Sequence, residues 1–344
     1  MIDVDPRTDE RWLELVRRTG GSLFHSPPWA TALSDTYGWA PRARMVLDAT
    51  GTAVAGIPWC VVGDGDAARV VSLPFSDFGG PLGDETHHRA LVEGLARDGL
   101  PVRWRAVHDP DAPASTEPAQ RARWHGIPLA SGPEAAWNGL SASTRRAVAK
   151  ARRDGVTVTP ATDAEFTARF LRMHTGVRKR KYRLLPQPLA FFDALQQRFT
   201  AVDGWYPLVA TQRDAMVAAT IYLRWGDTLF YKFNASDPDA LGSRPNDLLL
   251  WTGIELAAAL GCRLLDLGAS DDDQPGLIRF KRGFGADERE IRTFVVGPPP
   301  PPGAAQLDAI LGELLRELTE RFTHPDVPDP VTEQAGAVLY RYFA

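Results

Sequence analysis

The same order of short apolar runs and polar breaks occurs twice in this 344-residue chain, about 160 residues apart. Short apolar runs split by turn residues are typical of β-strands, and a constant long offset indicates that a whole domain was duplicated. We therefore expect two related α/β domains, with a substrate cleft between them. Corresponding segments start at positions 42 and 206, 53 and 215, 69 and 228, 84 and 246, and 101 and 262.

The composition is that of a soluble globular protein, with 44% hydrophobic and 24% charged residues. The acidic start Met1–Asp5 predicts no secretory signal, and no apolar run approaches the length of a membrane span. Cys60 and Cys262 lie in apolar segments and are predicted to be buried thiols in a reducing compartment rather than a disulfide. The sequence therefore predicts a cytoplasmic protein without integral membrane association.

Positive charge is concentrated in the middle of the chain. Residues 144–183 contain twelve basic and three acidic residues, whereas the whole chain carries a net charge of −4. A cluster of one sign within an acidic protein favours an anionic, phosphate-bearing partner, although a solvated helix face is the alternative. Within the cluster, Ser141–Arg153 is predicted to be a basic helix that ends at Asp154 and connects the two repeats.

The repeat also predicts the domain limits. The first domain is expected at residues 1–152, completed by a C-terminal segment at 303–344, and the second at 153–297. A five-proline spacer, Pro298–Pro302, leads into a predicted helix from Ala305 to Arg321. The apolar stripe of that helix is expected to pack on the core of the first domain in a monomeric protein; it comprises Leu307, Ile310, Leu311, Leu314, Leu315 and Leu318.

Several common catalytic and binding motifs are missing from the sequence. It contains no Walker loop, no Gly-x-Ser-x-Gly nucleophile elbow and no zinc-type spacing of Cys and His. Gly63–Ala68 matches a dinucleotide fingerprint, but a strand-like run follows it, so we predict a hairpin turn. Asp271–Asp273 is predicted to cap and solvate a loop rather than hold a metal ion.

Seven short segments carry a common pattern: Phe24–Trp29, Leu73–Pro81, Thr144–Val158, His174–Arg180, Arg244–Leu249, Leu265–Gly268 and Phe280–Gly285. Taken in order, they resemble the Fem family of peptidoglycan-bridge aminoacyltransferases. Each segment is weak alone, but the match covers nearly the whole chain.

The resemblance implies a fold and an activity. The fold is α/β (α+β), with two tandem GNAT-like acyltransferase domains whose mixed, mostly antiparallel sheets are flanked by helices. The activity is transfer of an amino acid from aminoacyl-tRNA to an amine of a peptidoglycan precursor or a peptide-like natural product. No cofactor is expected, because the donor is a co-substrate. The implied partners are tRNA and a small-molecule or peptide acceptor, and DNA is not among them.

The resemblance also implies roles for individual residues. Lys281, after Phe280, would face the reactive end of the ester donor, where a cation stabilises an oxyanion. Tyr231 and Asp266 are expected beside substrate, although core packing and a structural hydrogen bond are the alternatives. Phosphate contacts with tRNA are predicted for the basic helix through Arg145, Arg146, Lys150, Arg152 and Arg153.

Acceptor binding is predicted from the remaining matched positions. Arg178 and Arg180 stand where the family contacts acceptor phosphates, a task that suits guanidinium groups. The other predicted substrate-binding residues are Trp29, Arg244 and Asn246. The chain departs from the family at His25 and Pro27, because members of the family can carry a basic ligand for the acceptor phosphates at these positions. It also lacks the coiled-coil arm that some members have. A nucleotide-linked acceptor is therefore doubtful.

Two other functions stay open at the sequence level. An acyl-CoA-dependent GNAT enzyme is disfavoured because the segment Ala235–Asn246 lacks the Arg/Gln-x-x-Gly-x-Gly/Ala pattern and holds Pro245 where free amides are needed. A non-catalytic module that binds RNA or another polyanion through the basic helix is disfavoured by the Phe280–Lys281 pair.

Overall fold

The computed structural model describes residues 1–108, 118–298 and 303–344. The chain forms two compact units, which we describe separately. Unit 1 comprises Met1–Arg123, Arg289–Glu317 and Arg341–Ala344, and unit 2 comprises Trp124–Glu288 and Leu318–Tyr340. The predicted domain limits stay a prediction, and the proline spacer lies outside the described residues except for Pro298.

Unit 1 begins with short strands and amphipathic helices. Helix α1 carries an N-cap at Asp9, whose side chain accepts from the amides of Arg11 and Trp12. The elements are β1 Ile2–Val4, α1 Glu10–Arg18, α2 Pro27–Tyr37, β2 Arg42–Leu47, β3 Ala53–Val62, β4 Arg69–Val71, β5 Leu82–Gly83, α3 His88–Ala96 and β6 Val102–His108. Strand β7, Gln120–Pro128, runs from unit 1 into unit 2.

The helices and strands of unit 2 are on average longer than those of unit 1. Its elements are α4 Gly132–Gly139, α5 Ala142–Arg153, β8 Thr157–Pro160, α6 Phe166–Val177, α7 Leu189–Thr200, β9 Trp205–Gln212, β10 Ala215–Trp225, β11 Thr228–Ser236, α8 Pro245–Ala259, β12 Leu264–Ser270 and α9 Pro275–Gly283. The last elements of the chain are β13 Asp287–Val296, α10 Ala304–Phe322 and α11 Asp329–Leu339.

The two units contain the same arrangement of strands, as the repeat predicts. In unit 1, β2, β3 and β4 are antiparallel neighbours, and β6 joins β4 in parallel after helix α3. In unit 2, β9, β10 and β11 are antiparallel neighbours, and β12 joins β11 in parallel after helix α8. The turn Gly63–Ala68 connects antiparallel β3 and β4, which confirms the predicted hairpin.

The predicted fold class is confirmed. The β-structure is mixed and mostly antiparallel, and helices flank it. In unit 2 the core lies between the sheet and helices α5 and α8, because these helices bury Val148, Leu249 and Ile254 completely. Helix α5 ends at Asp154, as predicted, and Gly155 follows with a positive φ of 79°.

The predicted packing of the C-terminal stripe is wrong. The apolar side chains Leu307, Ile310, Leu311 and Leu314 of α10 are 37–55% exposed. Helical periodicity places these residues on one face but does not determine what covers that face. None of the helices within the described residues combines the length and the apolar composition that a membrane span requires.

Candidate active site

The parallel strands β11 and β12 separate in the middle of the unit 2 sheet. They pair from Thr228 with Leu264 to Phe230 with Asp266, and the register goes no further. Both strands nevertheless continue, β11 to Ser236 and β12 to Ser270. Two neighbouring strands that run on without pairing leave main-chain groups available to a ligand between them. We refer to this feature as the strand opening.

The corresponding place in unit 1 is taken by the chain itself. Strand β4 ends at Val71, and the loop after it bonds to the edge of β6 instead. The amide of Ser72 donates to the carbonyl of Arg103 at 3.0 Å, and the amide of Gly79 donates to that of Arg105 at 2.9 Å. Because this loop fills the edge of β6, the candidate site lies in unit 2.

A bulge turns β11 just beyond the last β11–β12 pair. Ile221 pairs with Phe233 and Tyr222 with Tyr231, so Lys232 is an extra residue in the strand. The rings of Tyr222 and Tyr231 meet edge to face, 5.6 Å apart. Tyr222 is fully buried against helix α8, where a Cβ at Gly253 would overlap its hydroxyl. Tyr231 therefore has a rigid support on one side.

Tyr231 lies beside a second phenol and a carboxylate. Its pKa is raised by burial first and then by nearby Tyr182, and Asp247 raises it further, whereas a hydrogen bond with Thr220 lowers it. Tyr182 is 40% exposed at the end of the π-helical turn Arg178–Tyr182. Of these groups Tyr182 is exposed, whereas Tyr231 and Asp247 are partly buried.

Two asparagines connect β11 to the first turn of α8. The Asn234 amide donates to the Thr220 hydroxyl at 2.9 Å and to Asn246 Oδ1 at 3.2 Å. The Asn246 amide donates to the Ser236 hydroxyl at 3.1 Å. Asn246, predicted to bind substrate, is thus tied into this network and holds the N-terminus of α8 against the end of β11.

The first turn of α8 combines a proline with an acid. Pro245 is the first helical residue and provides no amide hydrogen, while Asp247 lies two residues further on. Burial raises the pKa of the Asp247 carboxyl, and the positive charge of Arg244 lowers it in part. Arg244 itself is exposed, and its backbone adopts the left-handed conformation, with φ of 62°. This helix start carries a partly buried carboxylate, which disfavours an anionic ligand.

Lys281 is buried rather than open to solvent. The side chain is 3% exposed, and its ammonium donates to the carbonyls of Gly268 at 3.1 Å and Ala269 at 2.8 Å. Both carbonyls belong to the part of β12 beyond its last pair with β11. The expectation that the ammonium projects into a cleft is corrected, because helix α9 aims it at main-chain oxygens of the separated strand.

The two other predicted catalytic residues have structural partners. The Asp266 carboxylate is 3% exposed and accepts from the Trp124 indole at 2.8 Å and from the Gly268 amide at 2.6 Å. Phe280 is partly buried, with its ring 5.2 Å from that of Phe284. Asp266 thus fits the structural alternative, and Phe280 packs on the core of unit 2.

Arg178 and Arg180 are both engaged within unit 2. Arg178 donates to the carbonyl of Leu185 at 3.0 Å, and its guanidinium lies over the ring of Tyr340. Arg180 forms an ion pair of 3.2 Å with Asp329, a carboxylate it shares with buried Lys179. Contact of these arginines with acceptor phosphates stays a prediction. An acceptor phosphate would have to compete with the Asp329 carboxylate for the guanidinium of Arg180.

The basic residues of α5 fall into two groups. Arg145 donates to the carbonyl of Leu140 at 2.6 Å and so caps the end of α4. Lys150 pairs with Asp154, and Arg152 lies 3.7 Å from Glu255. Arg146 and Arg153 are exposed, and the described residues provide neither with a hydrogen bond or ion pair. These two lie seven residues apart, on one face of the helix.

The N-terminal residues of the resemblance pack against each other. Trp29, predicted to bind substrate, is fully buried in unit 1 and donates to the Ser76 hydroxyl at 2.9 Å. His25 lies 2.9 Å from the carbonyl of Gly80, and burial lowers its pKa to about 4. Both side chains are core residues, so substrate contact by Trp29 is not supported.

Sequence reasoning missed three polar residues at the strand opening: Thr220, Asn234 and Asp247. Asn234 ends an apolar run and Asp247 directly precedes one, Leu248–Trp251, and this was the available signal. Their proximity depends on the pairing of β10 with β11, which places Thr220 opposite Asn234.

Comparison with known proteins agrees with this fold. The family model described as acetyltransferase (GNAT) domain matches residues 139–282. The sequence has no significant match among curated proteins. The solved structure of FemX is similar, with 13% identity, a TM-score of 0.66, and coverage of 92% of this chain and 100% of that chain. The predicted resemblance to the Fem family is thereby confirmed at the level of the fold.

Two further solved structures are also similar. L-PGS from Bacillus licheniformis has 13% identity, a TM-score of 0.52, and coverage of 94% of this chain and 100% of that chain. The C-terminal domain of a putative lysylphosphatidylglycerol synthetase from Agrobacterium fabrum has 15% identity, a TM-score of 0.53, and coverage of 88% and 95%.

Proposed function

We propose that this chain, an acyl-transferring enzyme with the GNAT-like fold of the Fem family, takes its acyl group from an aminoacyl-tRNA and transfers it to an amine in the cytoplasm. The acceptor is an amine of a peptidoglycan precursor or of a peptide-like natural product. The reacting groups meet at the strand opening between β11 and β12 of unit 2.

The start of helix α8 is the observation that carries the choice of donor. A CoA pyrophosphate needs free amides and a positive potential at a helix N-terminus. Pro245 removes one amide there, and the partly buried Asp247 adds negative charge. Both features oppose an anionic cofactor and are compatible with a donor whose phosphates bind elsewhere.

Helix α5 supplies a place for those phosphates. Arg146 and Arg153 are exposed on one face, without partners among the described residues, so they are available to a tRNA backbone. Arg145 donates to a main-chain carbonyl, and Lys150 forms an ion pair with Asp154. Arg152 lies near Glu255. We therefore propose that Arg146 and Arg153 make the phosphate contacts of this helix.

The chemical step is aminolysis of an ester. The neutral acceptor amine attacks the ester carbonyl, a C–N bond forms, the C–O bond to the terminal ribose breaks, and the proton of the amine leaves with the ribose hydroxyl. Tyr231 is a hydrogen-bond donor at the strand opening. The ion pair of Arg180 with Asp329 and the burial of His25 support an acceptor without a nucleotide diphosphate.

A transfer assay tests this function. The protein is incubated with tRNA charged with radiolabelled amino acids and with a panel of peptide and muropeptide amines. We expect labelled amide product that disappears when ribonuclease is added before the enzyme. Ribonuclease-resistant transfer, or no transfer with any charged tRNA, would refute the proposal.

An acyl-CoA donor is the second candidate, because the match at residues 139–282 is to an acetyltransferase domain. The same assay with labelled acetyl-CoA separates the two candidates. Product formed from acetyl-CoA, unaffected by ribonuclease, would favour this candidate over aminoacyl-tRNA.

A further inference from the structure

We propose that Arg69, Arg103 and Arg105 of unit 1 form a binding site for the phosphate groups of a small molecule, and that a diphosphate matches their charge best. We refer to these three residues as the arginine cluster. The inference goes beyond the proposed function, because the cluster belongs to unit 1, whereas the strand opening belongs to unit 2.

Strand register brings the three arginines to one face of the unit 1 sheet. Arg103 and Arg105 are two residues apart on β6, and alternate residues of a strand lie on the same face. Strand β4 runs parallel to β6 with Val71 opposite Arg103, so Arg69, two residues before Val71, shares that face. Neighbouring strands are about 4.8 Å apart, and three long side chains at these positions can converge on one ligand.

The two faces of β6 differ in their surroundings. On the face opposite the arginines, Val102 is fully buried in the core that includes helix α3, and the ring of Trp104 stacks on that of Phe294. On the arginine face, Val295 of β13 is paired with Arg103 and is 55% exposed. The arginine cluster therefore lies on a face of the sheet that solvent reaches.

The charge of the arginine cluster is not balanced by acidic side chains among the described residues. Arg69 donates to the main-chain carbonyl of Ala344. Arg103 donates to Gln120 Oε1 at 2.6 Å, and the Nε of Arg105 is buried without a hydrogen-bond partner. Burial, and then the charges of Arg105 and Arg69, lower the pKa of Arg103. Like charges held together and partly out of water are costly, and a bound anion offsets that cost.

The backbone that carries Arg103 and Arg105 is fixed on both of its edges. On one edge, β6 pairs with β13 from Val102 to His108. On the other edge, the amide of Ser72 donates to the carbonyl of Arg103 at 3.0 Å, and the amide of Gly79 donates to that of Arg105 at 2.9 Å. A site on a strand held in this way needs little rearrangement, which lowers the cost of binding.

Charge and burial together indicate the class of ligand. A guanidinium group can bind two phosphate oxygens at once. Three such groups match the multiple negative charge of a diphosphate, whereas a single carboxylate would leave most of the positive charge in place. Arg103 and Arg105 are partly buried, so a small molecule reaches them more easily than the backbone of a folded RNA does.

Direct binding of inorganic pyrophosphate tests the inference without any donor or acceptor. Calorimetric titration at low salt should detect binding to the wild type. Arg103→Gln and Arg105→Gln should each weaken the affinity by about 10- to 100-fold, the range for one hydrogen bond to a charged group. The matched control is Arg89→Gln, because Arg89 is an exposed arginine of the same unit that pairs with Glu93 on α3. It should bind pyrophosphate as the wild type does.

The binding data can overturn the inference in several ways. Absence of pyrophosphate binding to the wild type would do so without any variant, even if Arg105→Gln fails to fold. Equal affinity in the wild type and both cluster variants would do so as well, and a loss in Arg153→Gln alone would place the anion on α5. Glutarate should bind more weakly than pyrophosphate, and an equal affinity would contradict a preference for phosphate.

Uncharged tRNA distinguishes a small phosphate ligand from an RNA backbone. We expect it to bind the wild type and Arg105→Gln with the same affinity. A loss of tRNA affinity in Arg105→Gln would assign the arginine cluster to RNA and overturn the inference. None of these measurements needs acyl transfer, so failure of the transfer assay would leave this inference standing, and absence of pyrophosphate binding would leave the proposed function standing.

Discussion

The ammonium of Lys281 donates a hydrogen bond of 2.8 Å to the carbonyl oxygen of Ala269, on the part of β12 that has separated from β11. A second bond, to the carbonyl of Gly268, makes Lys281 a tie between helix α9 and the edge of the strand opening. The structure thus places this lysine at the predicted site but with its charge directed to the protein backbone.

Replacing Lys281 with methionine should therefore destabilise unit 2. Two buried carbonyls lose their donor, and we expect the free energy of unfolding to fall by about 1–3 kcal/mol. The melting temperature and the single-turnover rate should be measured on the same preparation. A loss of about 10²–10³ in rate with an unchanged melting temperature would instead assign the ammonium to the oxyanion.

Replacing Arg146 or Arg153 with glutamine should weaken tRNA binding through charge alone. Each lost phosphate contact should reduce the slope of log affinity against log salt by about 0.7–0.9. Arg145→Ala is the matched control on the same helix, because its guanidinium caps α4. It should lower the melting temperature and leave the salt slope unchanged; unchanged slopes in all three variants would mean that α5 is a solvated surface.

The protein should lose stability in mild acid through two buried histidines. Burial lowers the pKa of His25 and of His174 to about 4. Below pH 6.5 the unfolded chain binds protons at these groups and the folded chain does not. The contribution of the two histidines to stability therefore falls as the pH drops from 6.5 towards 4 and is constant above that range. Each histidine contributes up to about 3 kcal/mol to this loss.

Urea unfolding across this pH range checks the expectation. His25→Gln should reduce the dependence of the unfolding free energy on pH without abolishing it, since His174 still titrates. His324→Gln, at an exposed position, should leave the dependence as in wild type. A dependence that is the same in all three proteins would contradict the expected role of His25.

The apolar stripe of α10 should contribute little to stability. Leu314 is 50% exposed, so Leu314→Ala should change the free energy of unfolding by no more than about 0.5 kcal/mol. Leu250→Ala, at a fully buried position of α8, should cost about 2–5 kcal/mol. A cost of the second size at Leu314 would show that the stripe packs on a core, as its periodicity suggested.

The repeat allowed much of the fold to be predicted. The meander of β9 to β11, helix α8 and the parallel strand β12 follow from apolar runs, turn residues and helical spacing, which are local properties of the chain. The end of α5 was also predictable, since Asp154 and Gly155 are local signals. The site was predicted less well. The resemblance assigned Lys281 and Trp29 to the site from their positions in the sequence, but it could not show that both side chains are buried.

The sequence by itself determined the order and type of the elements, the duplication, and the concentration of basic residues on α5. Only the tertiary structure decided which side chains remain available for chemistry. Trp29 became core, where its indole donates to Ser76 and its ring meets that of Phe24. Arg145 became a cap of α4. The physical reason is that propensity and periodicity act over a few neighbouring residues, whereas burial and charge pairing depend on partners brought together by strand register and helix packing.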